Sequence, residues 1–515
     1  MTFPEPLWRD SIVLPAFKAL EEDVQVDAVI VGGGMAGITT AYLLAKEGVK
    51  VALLEADTLL NGTTGHTTAK ITAQHDLIYD ELIQHFGATK ARHYYEANMA
   101  AKQFIEHTIR EQQIDCELLT QDAYLYATTE QSAHKLETEY KAYDQLGITG
   151  ELVDSIPFDL KIYKALKMDN QAQFHPLKYL KHLVQQFVEA GGLIFEHTPA
   201  VNVKEDGEQI AVLTRNGPNV TGSHVIACSH FPFYEGTGLY SARMHADRSY
   251  VLACKTKKPY PGGMYLSIDQ PSRSLRSVQH GNDTLVLIGG DSHKAGQGED
   301  TETHYQALES FTQEVLGLES IVFRWSTQDL VTLDKLPYVG PITSSQPRVL
   351  IATGFRKWGM TNSTAAAQLL KDLVLGKDNP YTDLYTPLRF TPDPSLKTLV
   401  KENANVVKHL IKGKLETSEI MPQDLAKDQG AVITLHGERK GAYRDQEGQL
   451  HIVDTTCTHV GCEVNWNAGD RTWDCPCHGS RFSYTGDVIE GPAEKPLQRT
   501  HYDMLDNLTS PESGY

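Results

Sequence analysis

Residues 26–55 read VDAVIVGGGMAGITTAYLLAKEGVKVALLE, and this stretch decides the class of fold. VDAVIV is an apolar run of the kind that a strand buried on both faces requires. It leads into Gly32-Gly33-Gly34-Met35-Ala36-Gly37 and a helical ITTAYLLAKEG, after which a second apolar strand, VKVALLE, ends on Glu55. Glycines at 32, 34 and 37 permit a tight turn and let the backbone approach a pyrophosphate, whose charge is met by the N–H groups at the helix start. Glu55, 18 residues past Gly37, is placed to accept hydrogen bonds from ribose hydroxyls. A glycine turn alone carries little, because many are purely structural. Strand, glycines, helix, strand and terminal acid in that order predict a dinucleotide-binding Rossmann-type α/β domain, and they leave FAD and NAD both open.

Outward from this start, the chain of 515 residues is long enough for several domains. Its 66 acidic residues against 47 basic ones give a net charge of −19. That balance argues against nucleic acid or an anionic membrane as partner and suits a basic electron carrier better. The most apolar stretch, 26–45, is broken by Asp27 and the glycine cluster, so no membrane span is expected. The opening MTFPEPLWRD shows no basic region followed by an apolar run, and a cytoplasmic protein is expected. Apolar strands and amphipathic helices alternate to about residue 390. Residues 391–420 are proline-initiated, lysine-rich and helix-like, and read as a linker; beyond them, short strands such as AVITLHG and HIVD between Gly and Asp turns predict an all-β unit.

That last unit carries the densest chemistry. Of seven cysteines, Cys116, Cys228 and Cys254 stand alone, while Cys457, Cys462, Cys475 and Cys477 crowd together. Clustering of this kind points to metal or redox chemistry. Residues 457–462 read Cys-Thr-His-Val-Gly-Cys and residues 475–480 read Cys-Pro-Cys-His-Gly-Ser. Cys and His at short spacing also make zinc sites. The two boxes, with C-x-H in the first and Pro-Cys-His-Gly in the second, resemble instead the paired C-x-H-x-G-C and C-P-x-H-G-S boxes of Rieske [2Fe-2S] proteins. The resemblance implies Cys457 and Cys475 as thiolate ligands of one iron and His459 and His478 as imidazole ligands of the other, with a potential of roughly −150 to +300 mV. It also implies a disulfide between Cys462 and Cys477, and a hydroxyl donor to the cluster at Ser480. Phe482 stands where a tyrosine donor is usual, which should lower the potential within that window. Rieske domains also open ring-hydroxylating oxygenases, but none of the 21 histidines has another five residues later, so their mononuclear iron motif is absent.

Three further segments decide between FAD and NAD. Residues 62–69, Gly-Thr-Thr-Gly-His-Thr-Thr-Ala, the stretch from Arg324-Trp325 to Leu333-Asp334-Lys335-Leu336-Pro337-Tyr338-Val339-Gly340, and Thr353-Gly354-Phe355-Arg356-Lys357-Trp358-Gly359-Met360-Thr361 resemble motifs of the D-amino-acid oxidase-like FAD enzymes, which include glycine oxidase and sarcosine dehydrogenases. The resemblance spans about residues 25–390 and implies FAD contacts at Thr63, Thr64, Gly354, Gly359, Met360 and Thr361. His66 sits where some family members bond a histidine covalently to the flavin and others do not; we read it as a non-covalent loop histidine.

These readings give an FAD-binding Rossmann-type α/β domain with an inserted α+β substrate domain, plus a C-terminal all-β Rieske domain. The expected borders are 1–395 for the oxidoreductase (FAD-binding parts about 24–90, 170–235 and 325–390), 396–420 for the linker and 421–510 for the Rieske domain. The expected reaction is FAD-dependent oxidation of an amine, amino acid or N-alkyl amino acid, with electrons leaving through the cluster to a one-electron acceptor protein or a quinone. Arg276, Arg356 and Lys357 are nominated to pair with a substrate carboxylate or the reduced flavin, and Tyr250 and Tyr265 are weaker candidates. The alternatives are an NAD(P)H-dependent reductase feeding the cluster, whose second nucleotide turn would be the incomplete Leu287-Ile288-Gly289-Gly290-Asp291-Ser292, and a non-catalytic redox sensor.

Overall fold

The computed structural model describes residues 5–298, 300–389, 392–413, 420–435 and 437–500. The chain divides into two compact units. One holds residues up to 293 together with 303–402, and the other holds 294–302 together with the chain from 403 onward.

The first unit is built on two large sheets. Its nucleotide sheet has six strands in the order Tyr338–Thr343, Gln346–Thr353, His224–Ala227, Ala28–Val31, Val51–Leu54 and Leu193–Phe195. All but the antiparallel first strand run parallel, and Ala28–Val31 and Val51–Leu54 are buried along their whole length. Continuous apolar strands are what a sheet covered on both faces needs. The helix Met35–Lys46 follows the glycine turn and buries nine of its twelve residues. Two glycines permit this tight start: a Cβ at Gly32 would lie 2.4 Å from the Cys228 carbonyl oxygen, and one at Gly37 would lie 1.9 Å from the Gly32 carbonyl oxygen.

The second sheet has nine strands, mostly antiparallel, with Leu318–Thr332, Met244–Thr256, Asp283–Lys294 and Arg273–His280 adjacent in that order. One face carries Val251, Ala253, Val278, Leu285 and Leu287 into the main core of the unit. The other face, with Tyr250, Leu252, Leu275 and Ile288, packs under the helix Glu302–Val315 through Tyr305 and Leu308. Leu287 to Ser292 lie inside the strand Asp283–Lys294, so this segment is not a strand–turn–helix nucleotide site.

The second unit is all-β at its centre, with a three-stranded and a four-stranded antiparallel sheet between Gln429 and Glu490. The stretch read as a linker is helical from Pro392 to Gly413. Its prolines fall at the helix start, where no intrahelical N–H is lost, and Val406 and Leu410 pack against the core around the four clustered cysteines. Residues 414–419 lie outside the described residues.

Candidate functional sites

The loop read as flavin-contacting in the first unit is a single 3-10 turn, Thr63–His66, pinned on several sides. The Thr64 hydroxyl accepts the Met35 N–H at 3.0 Å, which ties the loop to the start of the nucleotide helix. The Thr63 hydroxyl donates to the Gln328 carbonyl at 3.0 Å. Two buried indoles complete the clamp: Trp325 Nε1 donates to the His66 carbonyl at 2.8 Å and Trp8 Nε1 to the Thr67 carbonyl at 2.7 Å. His66 Nδ1 lies 2.9 Å from the Gly62 carbonyl and must donate to it, which leaves the lone pair of the neutral ring on Nε2. Trp8 precedes the first strand, and no local pattern in the sequence marks it.

Glu55 turns back on the glycine turn. Its carboxylate accepts Gly33 N–H at 2.7 Å and Asp57 N–H at 3.0 Å, while burial raises its pKa against those bonds. The nucleotide helix is preceded by Gly34, which gives no side-chain cap, so its first-turn donors other than the Met35 N–H held by Thr64 suit a phosphate. The helix Gly359–Val374 likewise has no side-chain cap. Met360 and Thr361 at its start are buried, and the Thr361 hydroxyl donates to the Thr72 carbonyl at 3.1 Å. Any contribution from these two residues to a cofactor therefore falls to their backbone N–H groups. Beneath them His75 stacks on Trp358 at 4.8 Å, with its pKa pushed down to about 3 by burial and then by Arg356.

The three nominated cations hold different partners. Arg356 donates to the His75 carbonyl at 2.8 Å, and Lys357 bonds the Ser292 hydroxyl on the nine-stranded sheet. Arg276 is 2% exposed, donates from Nη1 to the Ala69 carbonyl at 2.8 Å and lies 5.4 Å over the Trp8 ring. Its Nε is buried without a partner, and burial lowers its pKa to about 9. Beside it stands Lys70, which sequence reasoning missed. Its Nζ donates to the Tyr265 carbonyl at 2.9 Å and the Ser274 hydroxyl at 2.7 Å, and burial followed by Arg276 lowers its pKa to about 7. Tyr250 and Tyr265 are both buried, Tyr265 stacked on Tyr124 at 4.7 Å. Asp334, from the middle motif, is locked in a bidentate pair with Arg389 at 2.8 and 2.9 Å, and so holds the segment in place.

In the second unit the two boxes fold as matching turns. Gly461 N–H closes on the Cys457 carbonyl at 3.0 Å and Gly479 N–H on the Cys475 carbonyl at 3.1 Å, with φ of 80° and 79° at the glycines. This places Cys457 and Cys475 inward, both buried, with the rings of His459 and His478 at 5.0 Å. Cys462 and Cys477 form a disulfide joining the loops. Both disulfide sulfurs lie within 4.8 Å of the Cys475 sulfur, but a bonded pair offers no thiolate, so this trio is no metal site in itself.

Cys457, His459, Cys475 and His478 fit a cluster. His478 Nδ1 is buried without a partner, and burial pulls its pKa to about 4, which keeps the ring neutral as a metal ligand must be. A hydrogen bond from Cys475 draws the Cys457 thiol below its ordinary value against burial. The Ser480 hydroxyl accepts Ala493 N–H at 3.0 Å, and Phe482 is fully buried.

Comparison with known proteins follows the same division. Residues 27–373 match the family described as DAO, FAD dependent oxidoreductase, and residues 418–501 match the Rieske [2Fe-2S] domain. The chain belongs to the FAD-dependent oxidoreductase family. Its members bind FAD, and the C-terminal domain of this one is of the type that binds a [2Fe-2S] cluster. A putative Rieske 2Fe-2S iron-sulfur protein, YhfW of Bacillus subtilis (strain 168), is 53% identical over 97% of this chain and 98% of its own. The cytochrome b6-f iron-sulfur subunit of Prochlorococcus marinus is 46% identical over 26% of this chain and 72% of its own. Among solved structures, glycine oxidase from Geobacillus kaustophilus superposes with a TM-score of 0.60 at 18% identity, covering 71% of this chain and 99% of that one. At that identity the likeness speaks for the oxidoreductase fold alone. Among the described residues no helix is long and apolar enough to cross a membrane.

Proposed function

We propose that this FAD-dependent oxidoreductase is a dehydrogenase of an amino acid or N-alkyl amino acid that delivers its electrons through the Rieske centre to an external one-electron acceptor. Bound FAD would take a hydride from the carbon next to nitrogen, and the cluster would pass electrons on singly. Gly32, Gly34, Gly37, Thr64 and the start of the Gly359–Val374 helix are assigned to FAD, and Cys457, His459, Cys475 and His478 to the cluster.

The observation that carries the reading is the pair Arg276 and Lys70. Two neighbouring cations, one of them almost wholly buried, make no ion pair with a carboxylate among the described residues. A buried charge without an ion-pair partner is costly. Lys70 directly follows the loop 62–69 and Arg276 bonds its last carbonyl, at Ala69, so a substrate carboxylate would supply the missing anion, favouring an amino acid over a simple amine. The neighbours named glycine oxidase and L-amino acid deaminase support the same class.

The test is anaerobic flavin bleaching with a panel of amino acids, N-methyl amino acids and their decarboxylated analogues. Bleaching by at least one acid and by none of the analogues is expected. Arg276→Met should raise KM for that acid by about 10- to 100-fold, the worth of one charged hydrogen bond. Equal turnover of acids and decarboxylated amines, or reduction by NADH alone, would overturn the proposal.

A further inference from the structure

The Rieske family match begins at residue 418, yet the compact unit that contains it also includes residues 294–302. The backbone of this segment lies directly on the second cluster box. Gly296 has φ +68°, and a Cβ there would stand 2.5 Å from the Cys475 carbonyl carbon, 2.6 Å from Pro476 N and 2.7 Å from the Cys475 carbonyl oxygen. All three are backbone atoms, which cannot swing aside as a side-chain end would. Asn465 Nδ2 donates to the Gly296 carbonyl at 3.0 Å. The Gln297 amide donates to the Pro476 carbonyl at 3.1 Å and to Asn405 Oδ1 at 2.7 Å. Asn405 belongs to the helix Pro392–Gly413, which packs on the cysteine core through Val406 and Leu410. Farther along, the Thr301 hydroxyl donates to Asn467 Oδ1 at 2.7 Å and accepts Gly469 N–H at 2.9 Å.

We propose that Gly296 and Gln297 are positioning residues of the iron–sulfur centre: they hold the Cys475–Pro476–Cys477 backbone and so fix the geometry, retention and potential of the cluster. The reason is local. Pro476 links candidate ligand Cys475 to disulfide-bonded Cys477 and has no N–H of its own, so its carbonyl is the one backbone hydrogen-bonding group that it offers, and Gln297 takes it. The close approach of Gly296 keeps bulk from entering beside Cys475. Hydrogen bonding and solvent access around ligand-bearing loops tune such clusters. The matched Rieske sequence alone is therefore an incomplete centre, whatever the substrate of the flavin site.

The test uses the full-length holoprotein with both cofactors. Gln297→Ala removes two hydrogen bonds without adding bulk, and Gly296→Ala adds one methyl group against the peptide. Both variants should keep full flavin content, which reports an intact first unit. Both should show altered EPR g-values and a shifted cluster potential, and should release iron to a chelator roughly 10-fold faster, the lower end of the effect of losing an outer-shell partner. Should Gly296→Ala fail to accumulate, Gln297→Ala carries the decision. Unchanged g-values, potential and iron release in flavin-replete Gln297→Ala would overturn the proposal.

Discussion

In the Rieske unit each candidate ligand pair comes from one six-residue box, closed by its own glycine on its own cysteine carbonyl. The flavin loop of the first unit has no such autonomy: Thr63–His66 is held by Met35, Gln328, Trp325 and, just beyond, Trp8. The ligand pairs of one site are set by local turns, with Gly296 and Gln297 bracing the second box from outside, while the other site is held by contacts between segments 29 to 265 residues apart. The difference teaches where each is fragile. A local box fails by losing a ligand, whereas a long-range clamp fails by losing the packing that brings its parts together.

The largest expected effect separates the two sites outright. Cys457→Ser should abolish the Rieske EPR signal and leave flavin content unchanged, as measured by absorbance; loss of both cofactors together would break the comparison. Next comes the segment 324–340, which carries Trp325 of the clamp. Asp334→Ala leaves the Arg389 guanidinium buried and unpaired, at a cost of about 3–5 kcal/mol, and should lower the unfolding midpoint followed by flavin release while the cluster transition stays in place.

The smallest effect sharpens the substrate side. The Lys70 ammonium, its pKa already lowered to about 7 by burial and by Arg276, loses its charge as pH rises through that value. Affinity for a carboxylate inhibitor should therefore fall above about pH 7. The bound anion favours the charged form, so the midpoint should sit higher in the complex. In Lys70→Met the pH dependence of binding should flatten, and an unaltered profile would assign the titration elsewhere.

How much of this was legible in the sequence follows from the same contrast. The boxes that carry the candidate Rieske donors and the glycine turn could be read because their spacing is their geometry: Cys457 to Gly461 is one turn, and Gly32 to Gly37 is another. Asp334 could be found as a motif residue, but its partner Arg389 could not, because an ion pair between distant positions leaves no local trace. Lys70 was passed over although it directly follows the quoted flavin loop, since a lone lysine carries no pattern until burial lowers its pKa. Arg356 and Lys357 were nominated for their place in a motif, and the fold gives each a separate partner. Gly296 and Gln297 lie in an unremarkable polar stretch far from the boxes, and only the close backbone approach makes them visible.

The central claim is that one organic substrate reduces both centres. Its most direct test is an anaerobic titration of the holoprotein with the substrate identified in the bleaching panel, following flavin absorbance and low-temperature EPR together. The account predicts that a Rieske signal grows as the flavin bleaches. A bleached flavin beside an EPR-silent, still oxidised cluster would contradict it.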